Sequence, residues 1–259
     1  MCGMSDITIF PIFNQAVPHV WDDFLRIRIA AMRVNYNIEM TADEIARAMC
    51  DMQAAWNHYA FNFAFGAYDG ANMVGCIHGD CSKRVASIRH LYVLPKYQGL
   101  RIGSRLMNAA EATVSVAANS LDLVSLGHAE DFYRKRGCVA PLNTNVFVKN
   151  VVGTGRCQAV PLFWCPASVS RACDDLSHVS NCSFDVGAVN QEHRPTFVYR
   201  DVDSNIVGYG MIGANGSNTD DVRICTQFKS ATSFVQRRLN NAINGYCTQV
   251  SLVANGHAR

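Results

Sequence analysis

The stretch Leu91-Tyr92-Val93-Leu94-Pro95-Lys96-Tyr97-Gln98-Gly99-Leu100-Arg101-Ile102-Gly103-Ser104 sets a glycine-bearing turn between a strand and a helix. The residues before Pro95 are strand formers, and proline cannot donate to a sheet ladder, so it stops the strand there. Beyond the turn, SRLMNAAEATVSVAAN (104–119) carries Leu106, Ala110, Val114 and Ala117 at helical spacing. A helix entered in this way leaves its first amides without partners and holds the positive end of its dipole there. Such a corner grips an anion with main chain alone. Gly99 and Gly103 permit close approach of a phosphate, and Arg101 adds a charge. The missing GK[ST] ending excludes a P-loop, and the glycine spacing is not the dinucleotide-binding G-x-G-x-x-G. The plain alternative is an ordinary glycine turn capped by Ser104.

Working outward, ITIFPIF (7–13) reads as a strand and VPHVWDDFLRIRIAAM (17–32) as a helix with Val20, Phe24, Ile27 and Met32 on its apolar side. In TADEIARAMCDMQAAW (41–56), Thr41 and Glu44 have the spacing of a capping box, and Ile45, Met49, Met52 and Trp56 line a face suited to core packing. FNFAFGAYDGANMVGCIHGD (61–80) is a hairpin turning at 69–72, and VASIRHLYVLP (85–95) is the next strand. LDLVSL (121–126) is a further strand, AEDFYRKRGC (129–138) a short helix ended by Gly137, and NVFVKNVV (145–152) a last strand before the linker GTG (153–155). Alternating strands and helices around such a turn predict an α/β sandwich with a mixed sheet.

With 49% hydrophobic residues, a net charge of +2 and scattered Lys and Arg, the chain predicts a globular protein that does not bind nucleic acid. No basic and apolar leader opens it, and no window reaches the roughly 18 apolar residues of a membrane span, so a cytoplasmic protein is expected. Eleven cysteines fit reduced thiols better than a disulfide framework. Cys165, Cys173, His178 and Cys182 lie close together, but their spacing matches no zinc pattern, and no metal is expected.

The chain also echoes itself. FAFGAYDGANMVGCIHG (63–79) matches TFVYRDVDSNIVGYGMIG (196–213), with Val74 and Gly75 at the places of Val207 and Gly208, and LDLVSLGHA (121–129) matches VSLVANGHA (250–258). Two domains follow, residues 1–152 and a degenerate partial copy over 156–259. Where the first has PKYQGLRIGS, the second has TQFKSATS, with no glycine to admit a phosphate. The copy is expected to be structural or dimerising, completing the first domain's sheet or substrate cleft.

IRHLYVLPKYQGLRIGSRLM (88–107), followed after a helix and strand by AEDFYRKRGC, resembles motifs A and B of the GNAT acetyltransferases. The resemblance covers about residues 7–150 and implies a GNAT-like acyl-CoA N-acyltransferase fold, followed here by the partial GNAT-like repeat. It implies acetyl-CoA as cosubstrate, with Gln98, Gly99, Leu100, Arg101, Ile102, Gly103 and Ser104 at the pyrophosphate and main-chain groups of Leu91, Tyr92 and Val93 along pantetheine and the acetyl carbonyl. Tyr133 corresponds to the family's general acid, which protonates the departing thiolate. The implied reaction is direct attack by a primary amine of a small-molecule or peptide acceptor, in a possible homodimer. A non-catalytic acyl-CoA sensor or scaffold is the alternative.

Three residues depart from the family pattern: Arg101 stands for the central glycine of the turn, Leu126 for the asparagine before the Tyr-bearing helix, and Ser87 for the glutamate base. His78, Asp80, His90 and His128 lie near strand ends as other candidates for the base, but strand parity separates His90 from Ser87. Acceptor specificity is expected in MRVNYNIEM (32–40) and the hairpin beyond it, with Glu39, Asp22, Asp23 and Tyr36 placed to attract a cationic amine.

Overall fold

A computed structural model describes residues 7–13, 19–58, 62–82, 84–115, 117–141, 144–151, 158–162, 196–200, 206–211, 221–224 and 229–257. The first half forms a mixed sheet in the order β1-β2-β3-β4-β5-β6. Its strands are β1 (Thr8–Pro11), β2 (Asn62–Asp69), β3 (Asn72–Ser82), β4 (Val85–Val93), β5 (Ser120–Val124) and β6 (Val146–Asn150). Only β4 and β5 run parallel, and the helix α3 (Ile102–Val114) makes the crossover that a parallel pair requires.

The alternation of side chains along β3 sorts the helices onto two faces. Gly75 lies against Ile102 and Leu106 of α3, while His78, on the opposite parity, meets Trp21 of α1 (Val20–Tyr36) with ring centroids 6.1 Å apart. α2 (Ala42–His58) begins at the expected capping box: Thr41 N–H donates to Glu44 Oε2 at 2.8 Å and Glu44 N–H to Thr41 Oγ1 at 3.3 Å. Such a cap is worth about 1 kcal/mol. α4 (Glu130–Lys135) ends as read, with Gly137 at φ +81° and the Cys138 amide on the Tyr133 carbonyl at 3.1 Å. The side chains of Met52 and Trp56, the linker 153–155 and Cys165, Cys173, His178 and Cys182 lie outside the described residues.

The second half forms its own sheet, ordered β10-β9-β8-β7, and does not extend the first. It comprises β7 (Gln158–Leu162), β8 (Thr196–Arg200), β9 (Ile206–Met211) and β10 (Asp221–Ile224), followed by the helix α5 (Lys229–His257). The matched hairpins share a detail. Register slips between Ala67 and Tyr68 in one and between Tyr199 and Arg200 in the other, leaving Val74 and Val207 as the extra residues of equivalent bulges.

The other match does not carry over into structure. LDLVSL contributes to β5, but 250–257 is the end of α5. Val235, Leu239, Ile243, Tyr246 and Val253 are all buried, a helical stripe that places the whole segment in one helix and overrides a short string resembling a strand.

The two halves meet at β1 and α3. Phe10 stacks on Tyr246 with centroids 4.9 Å apart, Phe13 meets Phe197 at 5.9 Å, and the fully buried Arg200 donates to Ser115 Oγ. Gln249 also donates to the Gly70 carbonyl at 3.0 Å. Among the described residues no group of His, Cys, Asp and Glu could hold a metal, and no helix is long and apolar enough to cross a membrane.

Candidate active site

β4 is paired on both edges for only half its length. β5 accompanies it from Val85 to Ile88, whereas β3 follows it all the way to Val93. From Arg89 to Val93, then, main-chain groups on the β5 side have no strand partner, and Leu91, Tyr92 and Val93 are all on this open end. A backbone left unpaired next to a buried face must find another partner.

The same open end leads into the turn. Gly99 takes φ +80° and Arg101 φ +59°, the second a left-handed conformation that costs a non-glycine residue about 1 kcal/mol. α3 then begins at Ile102 with no side-chain cap, so Ser104 does not close the helix end. Ile102 is buried and offers only its amide, Gly103 lies against Phe132 and Val93, and Leu100 and Arg101 are exposed. Gln98 ties the turn down, donating to the Val93 carbonyl at 3.2 Å and to Asn35 Oδ1 at 3.3 Å. Uncapped amides beside an unpaired strand end fit a diphosphate joined to an extended, amide-bearing chain.

Tyr133 projects from α4 into the core, its ring 5.1 Å from Phe132 and 5.9 Å from Phe147. Burial, reinforced by Tyr36, Cys138 and Tyr92, pushes its phenol above the ordinary value, so it holds its proton at neutral pH. Arg136 sets the position of α4: it donates to Asn108 Oδ1 at 2.6 Å and Glu111 Oε1 at 2.9 Å on α3, and Lys149 of β6 reaches Glu111 Oε2 at 2.8 Å. The members of this network are far apart in the chain, so no local sequence pattern announces it.

On the α1 face, the expected separation of His90 from Ser87 is overturned. Pairing of β3 with β4 slips between His78 and Gly79, so Arg89 is an extra residue and strand parity inverts after it. His90 therefore joins His78, Asp80 and Ser87 on one face, with Asp122 of β5 opposite Ser87. Gly79 permits the slip, since a Cβ there would lie 2.4 Å from the Ser87 carbonyl oxygen. His78 and His90 stack with centroids 5.9 Å apart, and His90 stacks on Tyr92 at the same distance. Burial first, then His90 and Arg89, lowers His78 to about 3; burial first, then Arg28 and Arg89, lowers His90 to about 4, so both are neutral at pH 7. His128 is elsewhere, against Tyr36 with centroids 4.4 Å apart.

The acidic residues expected to attract a cation are already engaged. Arg33 holds Glu39 at 2.6 Å, Arg26 holds Asp23 at 2.7 Å, and Asp22 lies 3.3 Å from His19. Asp80 is paired with Arg89 at 2.5 Å. Arg28, which no motif singles out, shares the stripe of Phe24 on α1 and perturbs the titration of both His90 and Tyr92. Its position at i+4 from a buried phenylalanine was the signal available.

Residues 61–137 match the family model described as an acetyltransferase (GNAT) domain. No curated protein matches the chain. Among solved structures, PaiA N-acetyltransferase from Thermoplasma acidophilum, in complex with coenzyme A, is 15% identical at a TM-score of 0.45, covering 55% of this chain and 99% of its own. A GNAT family acetyltransferase from Brucella melitensis, in complex with acetyl-CoA, is 20% identical at 0.41, covering 55% and 88%. The protein PH1933 from Pyrococcus horikoshii is 17% identical at 0.47, covering 56% and 98%. The turn, the half-paired strand and Tyr133 all fall within the segment that matches the GNAT acetyltransferase domain.

Proposed function

We propose that the chain is an N-acetyltransferase that moves the acetyl group of acetyl-CoA to a primary amine by direct attack. The observation that carries this reading is the uncapped start of α3 at Gly99–Ser104 next to the unpaired end of β4, within the segment matching a GNAT domain. The pyrophosphate is assigned to the amides of that turn, and pantetheine to the open edge from Leu91 to Val93. Bound acetyl-CoA supplies an activated acyl thioester.

The chain's own groups complete the chemistry. An amide on the open edge of β4 donates to the carbonyl oxygen as charge grows there, a donor that the strand fixes in advance. Tyr133 gives its proton to the departing sulfur, a role its protonated phenol suits. One N–C bond replaces one C–S bond, and the proton shed by the amine passes by way of solvent to the tyrosine. Neutral His90, beside Tyr92 on the open half of β4, is assigned as the acceptor of a hydrogen bond from the incoming amine. The absence of a carboxylate at Ser87 favours a second reading, a non-catalytic acyl-CoA sensor.

Thermal shift with acetyl-CoA tests the site, because ligand at 100 times its Kd stabilises by about 2.7 kcal/mol. The wild type is expected to shift and Gly103→Glu, which puts a carboxylate among the phosphate-binding amides, is not. Absence of any shift overturns the reading. Thiol release with a panel of amines then separates enzyme from sensor. Residues 156–259 are proposed to be a degenerate copy of the first domain, supported by the equivalent bulges at Val74 and Val207.

A further inference from the structure

The acceptor face has a charge distribution that argues against a polycation. Asp23, Glu39 and Asp80 each hold an arginine, and the two imidazoles facing the open half of β4 are neutral at pH 7. One charge on this face is left over. Arg28 Nε is buried and has no hydrogen-bond partner among the described residues, and no described carboxylate pairs with the guanidinium. Helical spacing from the buried Phe24 turns Arg28 towards the sheet, and its charge is felt at both His90 and Tyr92, the latter on the open edge.

A guanidinium half-removed from water and lacking a counter-ion is costly, and the cost is recovered when an anion arrives. Its planar fork matches a carboxylate in two parallel hydrogen bonds. The phosphates of the coenzyme are assigned to the opposite side of β4, at α3. The anion for Arg28 therefore has to come with the other substrate. Arg28 sits on α1, which packs on β4, within electrostatic reach of His90 and Tyr92, so amine and anion are taken to belong to one small molecule.

We propose that the acceptor is a free amino acid, with its carboxylate held by Arg28 and its amine presented between His90 and the open end of β4. This rests on the acetyltransferase reading, and it narrows the acceptor from any primary amine to one bearing a carboxylate. The chemistry is unchanged: the amine nitrogen gains the acyl carbon, the sulfur gains a proton, and the carboxylate takes no part in bond making.

The test compares thiol release from acetyl-CoA with phenylalanine against phenethylamine and lysine against cadaverine, in wild type, Arg28→Gln and Arg28→Lys. The wild type is expected to favour the amino acid of each pair in kcat/KM. Arg28→Gln is expected to lower kcat/KM for the amino acids on the order of a hundredfold, the range for hydrogen bonds to a charged group, and to leave the decarboxylated amines unchanged. Arg28→Lys is expected to recover part of the preference. In the wild type, 3-phenylpropionate is expected to compete with the amino acid, an arm that needs no variant to fold.

Preference for the decarboxylated amines, or a preference that survives Arg28→Gln, overturns the proposal. So does acetyl-CoA binding without turnover of either amino acid. Loss of the acetyl-CoA thermal shift in Arg28→Gln, with the wild type shifting, assigns the guanidinium to a coenzyme phosphate and also overturns it. A wild type that shows no shift with acetyl-CoA defeats the underlying acetyltransferase reading instead.

Discussion

His78 and His90 stand opposite each other on β3 and β4, their rings stacked 5.9 Å apart at 20°. This pairing exists only because Arg89 is an extra residue in β4, which brings His90 to the face that plain alternation would deny it. Beyond the slip, ordinary alternation sets His90 and Tyr92 on one face, on the half of the strand that β5 leaves open.

Two neutral imidazoles, His78 buried and His90 half-buried, make stability depend on pH. His78 and His90 titrate near 3 and 4 in the folded chain against an ordinary 6.5, chiefly because burial penalises the charged ring. As pH falls below 6.5, the unfolded chain takes up protons that the folded chain refuses, so stability present above 6.5 is lost progressively towards pH 4 and 3. The melting temperature is expected to fall across that window, and less steeply in His90→Gln. An identical slope in the variant contradicts this account of the pair.

Gly79 makes the slip possible, and adding a methyl group there tests what the slip does. The new Cβ would stand 2.4 Å from the Ser87 carbonyl oxygen and 2.4 Å from Phe63 Cζ. Gly79→Ala is expected to cost about 1–3 kcal/mol, the usual range for overpacking. Because Gly79 pairs with Ile88 in mid-strand and the turn at α3 lies beyond Val93, acetyl-CoA is still expected to raise the melting temperature while acceptor turnover falls. Urea unfolding and thiol release measure the two effects separately.

Removing the phenol of Tyr133 takes away a proton donor and little volume. Tyr133→Phe is expected to keep the acetyl-CoA thermal shift and to lose turnover by about 10²–10⁴, the range for general acid catalysis. Turnover equal to wild type would return Tyr133 to the role of a core aromatic between Phe132 and Phe147.

Tyr246 tests whether the two sheets are independent. Its ring packs on Phe10 at 4.9 Å, Phe13 at 5.3 Å and Phe197 at 5.9 Å, joining α5 to β1 and β8. Tyr246→Ala is expected to destabilise the whole chain by about 3–5 kcal/mol, as for other buried aromatics cut to alanine. Unfolding of both sheets is expected in a single step. Two transitions, with the one for the six-stranded sheet unmoved, would establish 1–152 and 156–259 as separately folding units.

Local chemistry made the backbone of the N-terminal half legible. The capping box at Thr41 and Glu44, the left-handed stop at Gly137 and the strand–turn–helix around Gly99 each depend on residues within a few positions of one another, and each is found as read. The reading failed where a short string had to stand for its surroundings: 250–257 resembles a strand, but the apolar period of the whole of α5 decides its state.

The sequence alone determined the turn that opens α3, because glycine conformations and unpartnered amides are properties of consecutive residues. Only the tertiary structure decided which side chains share the α1 face of the sheet. Parity along β4 depends on a register slip against β3, and the pairing of Asp23, Glu39 and Asp80 depends on side chains meeting in space. Among the described residues, Arg28 Nε is left without a partner by that arrangement, which no run of neighbouring residues encodes.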